Sequence, residues 1–422
     1  MEKSLFLWKY QAGMKKIKLA LHWQILIALI LGVCFGIYFT ESSSWVIWMG
    51  TLFLRALNMI IVPLILCSII SGVASVGNAE NLGRIGLKTM GYYMATTLLA
   101  IITGLLLVNL IKPGVGSELK FADTPEGITQ SADSFGNTLL HIIPTNIFEA
   151  MSQGQMLSII FFAILFGFFI TKTEEKTQTF LLRFFDSSTD VIMKITLFVI
   201  RFTPLGVFGI VVKVVSEQIQ MGNNLWDVFA RMGWYMLSVI LGLLIHGLFT
   251  LPLSVYLLGK ANPIKHLRNM TTPLLTAFST SSSNATLPLT MEAVEHKDGV
   301  SQKIAAFTLP LGATVNMNGT SLYECVAVMF IAQAYGIELS FVQQIIVVFT
   351  ALLAAVGSAG IPMAGLVMMT IVLKAVNLPL EGIGLILAVD RILDMFRTTI
   401  NVYGDTCGAV IVAKSEGERL RV

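Results

Sequence analysis

The sequence predicts an all-α polytopic membrane protein, and three observations carry that prediction. The 422 residues are 55% apolar and only 13% charged, with a mean hydropathy of +0.78. That is more apolar surface than a water-soluble domain of this length could bury. Apolar runs long enough to cross a bilayer recur along the chain. In the second half those runs are interrupted by small and polar residues, and an irregular backbone at membrane depth needs protein or a cavity around it.

In chain order, the long apolar runs are Leu19 to Phe39, Trp45 to Val73, Leu87 to Ile111, Met156 to Ile170, Phe180 to Ile200 and Trp226 to Leu258. The fourth is short for a clean span and follows IIPTNIFEAM, so a broken element is expected there. The N-terminal LFLW patch is too short for a cleavable leader, and Lys15, Lys16 and Lys18 run straight into the first span. Lys and Arg gather at 76–86, 172–179 and 259–268 (Arg84, Lys172, Lys176, Lys260, Lys265, Arg268), whereas 112–141 is long and carries Glu118, Asp123, Glu126 and Asp133. The positive-inside rule then puts the N-terminus and those three basic connections in the cytoplasm, and the C-terminus with Lys414, Arg419 and Arg421 as well. The net charge of +3 is therefore a matter of loop topology and calls for no nucleic-acid partner. Cys34, Cys67, Cys325 and Cys407 lie in apolar sequence without a CxxC pair, which excludes a disulfide framework or a thiolate metal site.

Beyond residue 260 two units follow in series. Each has an apolar stretch, a small-residue tip ending in Pro, a second apolar stretch and a long span with polar residues: 264–294 then 302–334, and 341–372 then 377–413. Paired interrupted segments of this kind point to a midplane binding site in secondary transporters. The most informative stretch is AVDRILDMFRTTINVYGDTCGA, 388–409. At about 100° per residue, Asp390, Asp394, Arg397, Asn401 and Asp405 fall at roughly 0°, 40°, −20°, 20° and 60° on a helix. Five polar groups on one face of an intramembrane helix line a cavity or meet partners; the plainer alternative is an ion-pair ladder between helices. His246, alone in the sixth span, reads as a packing or hydrogen-bonding residue, and Met363, Met368 and Met369 as flexible core filler.

FSTSSSNATLP (278–288), LPLGATVNMNGT (309–320), AAVGSAGIPMAG (354–365) and AVDRILDMFRTTINVYGD (388–405), with GYYMATT at 91–97, resemble the signature elements of the dicarboxylate/amino acid:cation symporter family, the glutamate and aspartate transporters. The resemblance spans most of the chain. It implies eight transmembrane helices plus two re-entrant helical hairpins, inverted repeats, a homotrimer, and an elevator-type mechanism. The division it implies is 1–85, scaffold helices 1 and 2; 86–175, the third span of the transport domain and a broken fourth span of the scaffold; 176–224, the fifth span (scaffold); 225–262, the sixth (transport domain); and 263–422, the transport core. That core holds hairpin 1 (264–294), span 7 (302–334), hairpin 2 (341–372) and span 8 (377–413).

Carried over by position, the resemblance makes Arg397 the clamp for a side-chain carboxylate, which suits the two parallel donors of a guanidinium. It gives the α-ammonium to Asp394. Thr398, Asn401 and Thr320 help hold the substrate, with Ser281, Ser282, Ser283 and the segment from Ile361 to Gly365 closing over it. For sodium it implies one site at Gly312, Asn316, Asn401 and Asp405, and a second at Thr314 with carbonyls of Ala355, Val356 and Ser358, oxygen ligands that suit a hard cation. A third joins Tyr93, Thr96, Thr97 and Asn316 to an aspartate of NMDGT, which here is Asn318 in NMNGT, so the charge of that site is lost. Glu324 matches the proposed proton carrier of the animal transporters, and Arg391 on the last helix is a candidate charge compensation for Ser281, where some archaeal members carry arginine.

The reading is a symporter in the cell (plasma or inner) membrane, taking up L-glutamate or L-aspartate with cations, sodium first and protons as the alternative. Less favoured are a dicarboxylate transporter, since a simple dicarboxylate lacks the amine that Asp394 would meet, and an ion channel, which would share the polar path. An intramembrane hydrolase at the serine run has no nearby His or Lys base, so the protein is not expected to be an enzyme.

Overall fold

A computed structural model describes residues 21–76, 83–116, 143–220, 225–356 and 364–422, and among the described residues every regular element is a helix. The first helices are α1 (Leu21–Tyr38), α2 (Ser44–Val76) and α3 (Gly83–Ile111). The fourth element is broken: α4 (Ile147–Gln153), capped by the Asn146 side chain, ends at Gly154 in a left-handed conformation (φ 66°) before α5 (Met156–Ile170). Gly tolerates that backbone where other residues are strained. Then come α6 (Glu175–Ile200), α7 (Thr203–Gln220), α8 (Leu225–Ile245), a π-helical turn His246–Thr250 and α9 (Leu251–Leu257).

Beyond the apolar run that ends at Ile200, helix resumes at Thr203 after a bend of 54° and continues to Gln220. Hydropathy misses α7 because Lys213 and Glu217 interrupt its apolar stretch, and these two sit one turn apart as an ion pair at 3.8 Å. Its packing rests on small residues instead: a Cβ on Gly209 would lie 2.5 Å from the Gly50 nitrogen of α2, and one on Gly36 of α1 only 2.8 Å from Val215. Backbones at that spacing gain close contact that bulkier helices forgo.

The second half folds as α10 (Pro263–Asn269), α11 (Thr271–Thr280), α12 (Ser283–Ala293), α13 (Gln302–Val315), α14 (Asn318–Ala334), α15 (Phe341–Val356), α16 (Ala364–Ala375) and α17 (Ile383–Ser415). Chain reversal between α11 and α12 is made by Ser281, left-handed at φ 51°, and by Ser282, whose side chain caps α12 at Ala285 N. Helices α15 and α16 also pack on each other, but the tip between them, with Ser358 and Ile361, lies outside the described residues.

Two packing groups result. Helices α5, α6 and α7 surround α2 and α1 lies on α7, while α3, α8, α11, α12, α13, α15 and α16 gather around α14 and α17. The groups meet where α7 touches α17 and where α15 and α16 touch α2. By length and composition, Ser44–Ala74, Arg84–Ile111 and Ala230–Leu257 qualify as membrane spans, and the bent α6–α7 pair counts as one more. Many large apolar side chains face outward, among them Trp23, Trp48, Leu106, Phe169 and Phe249, as a lipid-facing surface requires. All four cysteines are free.

A polar clasp closes the end of α17. Glu416 accepts from Lys88 Nζ at 2.6 Å and pairs with Arg84, while Glu418 accepts from Ser301 N at 2.9 Å. The hydrogen bonds from Arg84 and then Lys88 hold the Glu416 carboxyl down to about 2, from an ordinary value of 4.5. A depressed carboxyl stabilises the folded protein above its unfolded value and loses that advantage as pH falls through the folded one. Replacing Glu416→Gln should lower the melting temperature by about a degree at neutral pH, as expected for a surface pair. The gap from wild type should close as pH is taken from 4.5 down to about 2, read by thermal unfolding in detergent.

Candidate functional site

The site forms where span seven breaks. Helix α13 stops at Val315, Asn316 adopts a non-helical conformation, and α14 begins at Asn318. The first N–H groups of α14 therefore need acceptors. Asn401 of α17 supplies one: its Oδ1 accepts from Gly319 N at 2.7 Å and Thr320 N at 3.4 Å, and its Nδ2 donates to Thr320 Oγ1 at 3.0 Å. Close approach makes this possible, since a Cβ on Gly319 would sit 2.5 Å from the Arg397 carbonyl oxygen.

The polar face of α17 is buried as a unit: Asp390, Asp394, Arg397, Thr398, Asn401 and Asp405 are each 5% exposed or less. Arg397 binds two carboxylates of its own helix, donating from Nη1 to Asp390 Oδ1 (3.0 Å) and from Nε to Asp394 Oδ1 (2.9 Å). Tyr323 of α14 donates to the same Asp390 oxygen at 2.7 Å, and its ring lies 4.1 Å beneath the guanidinium carbon. Gly365 at the start of α16 covers the other side; a Cβ there would be 3.0 Å from Arg397 Nη1. The guanidinium thus lies among α14, α16 and α17 with two anions for partners.

A second polar centre lies two turns along α17. Asn316 Nδ2 donates to Asp405 Oδ1 at 2.8 Å, while Asn316 Oδ1 is buried without a hydrogen-bond partner among the described residues. Gly312 borders it, where a Cβ would stand 2.5 Å from Asp405 Oδ1 and 2.7 Å from Tyr93 Oη. Gly312, Asn316, Asn401 and Asp405 are thus drawn to one side of α17. Of the expected third set, Thr97 donates to Asn318 Oδ1 at 2.6 Å, and Asn318 Nδ2 lies 3.4 Å from His246 Nε2. Tyr93 instead donates to the Thr308 carbonyl at 2.9 Å, and Thr96 turns back to Tyr92 O at 2.9 Å. His246 stands at the π turn with its ring toward α14 rather than within the α2 group.

The remaining expected residues are placed as follows. Thr314 bonds back to Leu311 O at 3.0 Å, and α13 touches α15, which carries Ala355 and ends at Val356. Ser281 is buried with its hydroxyl unpartnered among the described residues, and Ser283 is buried beside it. Arg391 lies 3.5 Å from Asp394 Oδ2. Glu324 is 1% exposed, and neither carboxyl oxygen has a hydrogen-bond partner among the described residues. Tyr323 was missed by sequence reasoning, although it falls one turn after Thr320 and so on the same face of α14.

A helical protein with spans of membrane length, a broken seventh span and a buried cluster of charged side chains beside that break has the architecture of a secondary transporter. The profile of the Sodium:dicarboxylate symporter family matches residues 21–415, and the chain belongs to that family. It is 36% identical to a proton/glutamate-aspartate symporter of Escherichia coli K12, over 96% of this chain and 94% of that protein. It is 35% identical to a proton/sodium-glutamate symport protein of Bacillus caldotenax (95% and 96%) and 39% identical to the neutral amino acid transporter B(0) of Bos taurus (85% and 71%).

Replacing Arg397→Leu would leave Asp390 buried without its cation and Asp394 with only Arg391 at 3.5 Å. Breaking a buried pair in this way costs about 3–5 kcal/mol, so the variant's melting temperature in detergent should fall by several degrees. The double variant with Asp390→Asn should recover part of the loss.

Proposed function

We propose that this protein is a symporter of acidic amino acids, L-glutamate or L-aspartate, driven by a cation gradient. The observation that carries this is Arg397, fully buried and already paired with carboxylates. An acidic side chain would take the place of Asp390 as the guanidinium's partner, and a guanidinium can hold a carboxylate through two parallel donors where Asp390 takes one. A neutral side chain cannot take the place of Asp390, so Arg397 keeps its own carboxylates and the substrate gains no such contact. Relatives are named for acidic and for neutral substrates alike, and Arg397 favours the acidic class. Asp394 would take the α-ammonium, with Thr398, Asn401, Thr320, Gly365 and the tips at Ser281–Ser283 and Ile361 completing the site.

Cation coupling is supported by the centre at Asp405. An unpartnered buried oxygen of Asn316 beside a carboxylate suits a hard cation, and Gly312 leaves the space. Thr314 with the carbonyls of Ala355, Val356 and Ser358 would hold a second sodium. A proton is the alternative driver, and two observations favour weighing it. Neither Glu324 carboxyl oxygen has a hydrogen-bond partner among the described residues, and Asn318 spends its polar atoms on Thr97 and His246. Relatives carry proton and proton/sodium in their names.

The transport cycle follows from the cost of charge in lipid: the α3, α8 and α10–α17 group carries the site past the α2-centred group only when its charges are matched. In this reading the former is the transport domain and the latter the scaffold of a homotrimer in the cell membrane. Eight spans, two re-entrant hairpins and cytoplasmic termini complete the topology.

Uptake of labelled L-aspartate, L-glutamate and L-alanine into proteoliposomes tests the reading, with sodium and proton gradients imposed separately. Acidic substrates alone should accumulate, and Arg397→Ala should abolish that accumulation. Equal uptake of L-alanine by the wild type would sink the substrate assignment. Accumulation under a proton gradient in sodium-free buffer would shift the driver to Glu324.

A further inference from the structure

Below the ion centre lies a second buried polar cluster that the site does not use. His266 of α10 and Asp298 of the π-helical turn after α12 are both wholly buried, with Nδ1 and Oδ2 2.6 Å apart. The other Asp298 oxygen accepts from Asn269 Nδ2 at 2.8 Å, and its carbonyl accepts from Arg421 N at 2.7 Å. Across the ring, His266 Nε2 meets Thr406 Oγ1 of α17 at 3.1 Å and Cys407 Sγ at 3.7 Å, and the imidazole stacks on Tyr403 with centroids 5.6 Å apart. The root of the first hairpin is thus tied to α17 at the residues flanking Asp405.

We propose that His266 and Asp298 are positioning residues for the cation centre, a brace that sets the rotation of α17 and so aims the Asp405 carboxylate at Gly312 and Asn316. The inference rests on the cation reading above. An apolar pair would hold the helices together as well as a buried hydrogen-bonded His–Asp pair does, and at lower desolvation cost. Hydrogen bonds add direction. A rotation of α17 by about 10° moves a group about 6 Å from its axis by about 1 Å, several times the tolerance of about 0.2 Å on a metal–ligand distance. Asp405 is adjacent to Thr406 in the helix, so fixing the Thr406 hydroxyl against His266 fixes the angle from which Asp405 approaches. Partners one shell out from a metal ligand act in this manner elsewhere, and their loss costs affinity about 10–100-fold.

The test is sodium-dependent L-aspartate uptake by the full chain in proteoliposomes, with the half-saturating sodium concentration and the substrate KM at saturating sodium measured separately. His266→Phe and Asp298→Asn should each raise the half-saturating sodium about tenfold or more, while the substrate KM stays in place; the double variant should go no further than either single one. If those variants fail size-exclusion chromatography, Thr406→Val, which removes only the hydroxyl, should give the same rise. Wild-type sodium curves in folded variants, or substrate KM moving in step with sodium, would overturn the brace. Sodium-independent uptake by the wild type would remove the sodium centre and the brace with it, a result visible before any variant is made.

Discussion

A guanidinium removed from water needs anions, and Arg397 has two within its own helix. Asp390 and Asp394 lie about two turns and one turn before it, so a single stretch of α17 supplies both the charge and its counter-charges. The rest of the core follows from keeping that group dry and matched. Tyr323 offers its ring to the cation and its hydroxyl to Asp390, which ties α14 to the same point, and Gly365 lets α16 close the remaining side without a side chain in the way. Attraction of the ring for a desolvated cation adds to the hydrogen bonds. Three helices are thereby fixed on one charge.

The break in span seven is the complementary arrangement. A helix that stops at membrane depth exposes orphan N–H groups, and the protein satisfies two of them with Asn401 from the helix that carries Arg397. The amide of Asn401 therefore links the Arg397 cluster and the Asp405 centre physically: one end caps α14, the other reaches Thr320, and Asp405 lies one turn along. Both clusters thus bear on the same helix end.

Much of this was legible in the sequence because the constraint is severe. Charges are scarce in apolar sequence, so the alignment of Asp390, Asp394, Arg397, Asn401 and Asp405 stood out, and all five are buried on α17. The small-residue breaks marked where helices end. Less legible was anything that depends on packing between distant segments. Helix α7 hides behind Lys213 and Glu217 because hydropathy sees charge and not the Gly50–Gly209 seam. Tyr323 looks like one more aromatic in an apolar helix until Asp390 is placed 2.7 Å from its hydroxyl. His266 and Asp298 are 32 residues apart, and no spacing rule pairs them.

The π turn at His246–Thr250 has an evolutionary consequence. Such a turn is an α helix that has absorbed one extra residue, and the residue count after it is shifted by about 100° relative to the count before. Segments α8 and α9 can therefore drift in sequence under separate selection, each with its own lipid-facing pattern. A lineage that loses one residue between 246 and 250 would re-phase the two halves at a stroke and turn one of them away from α14. Insertions and deletions elsewhere in the same 28-residue span should be tolerated less readily than at this hinge of register.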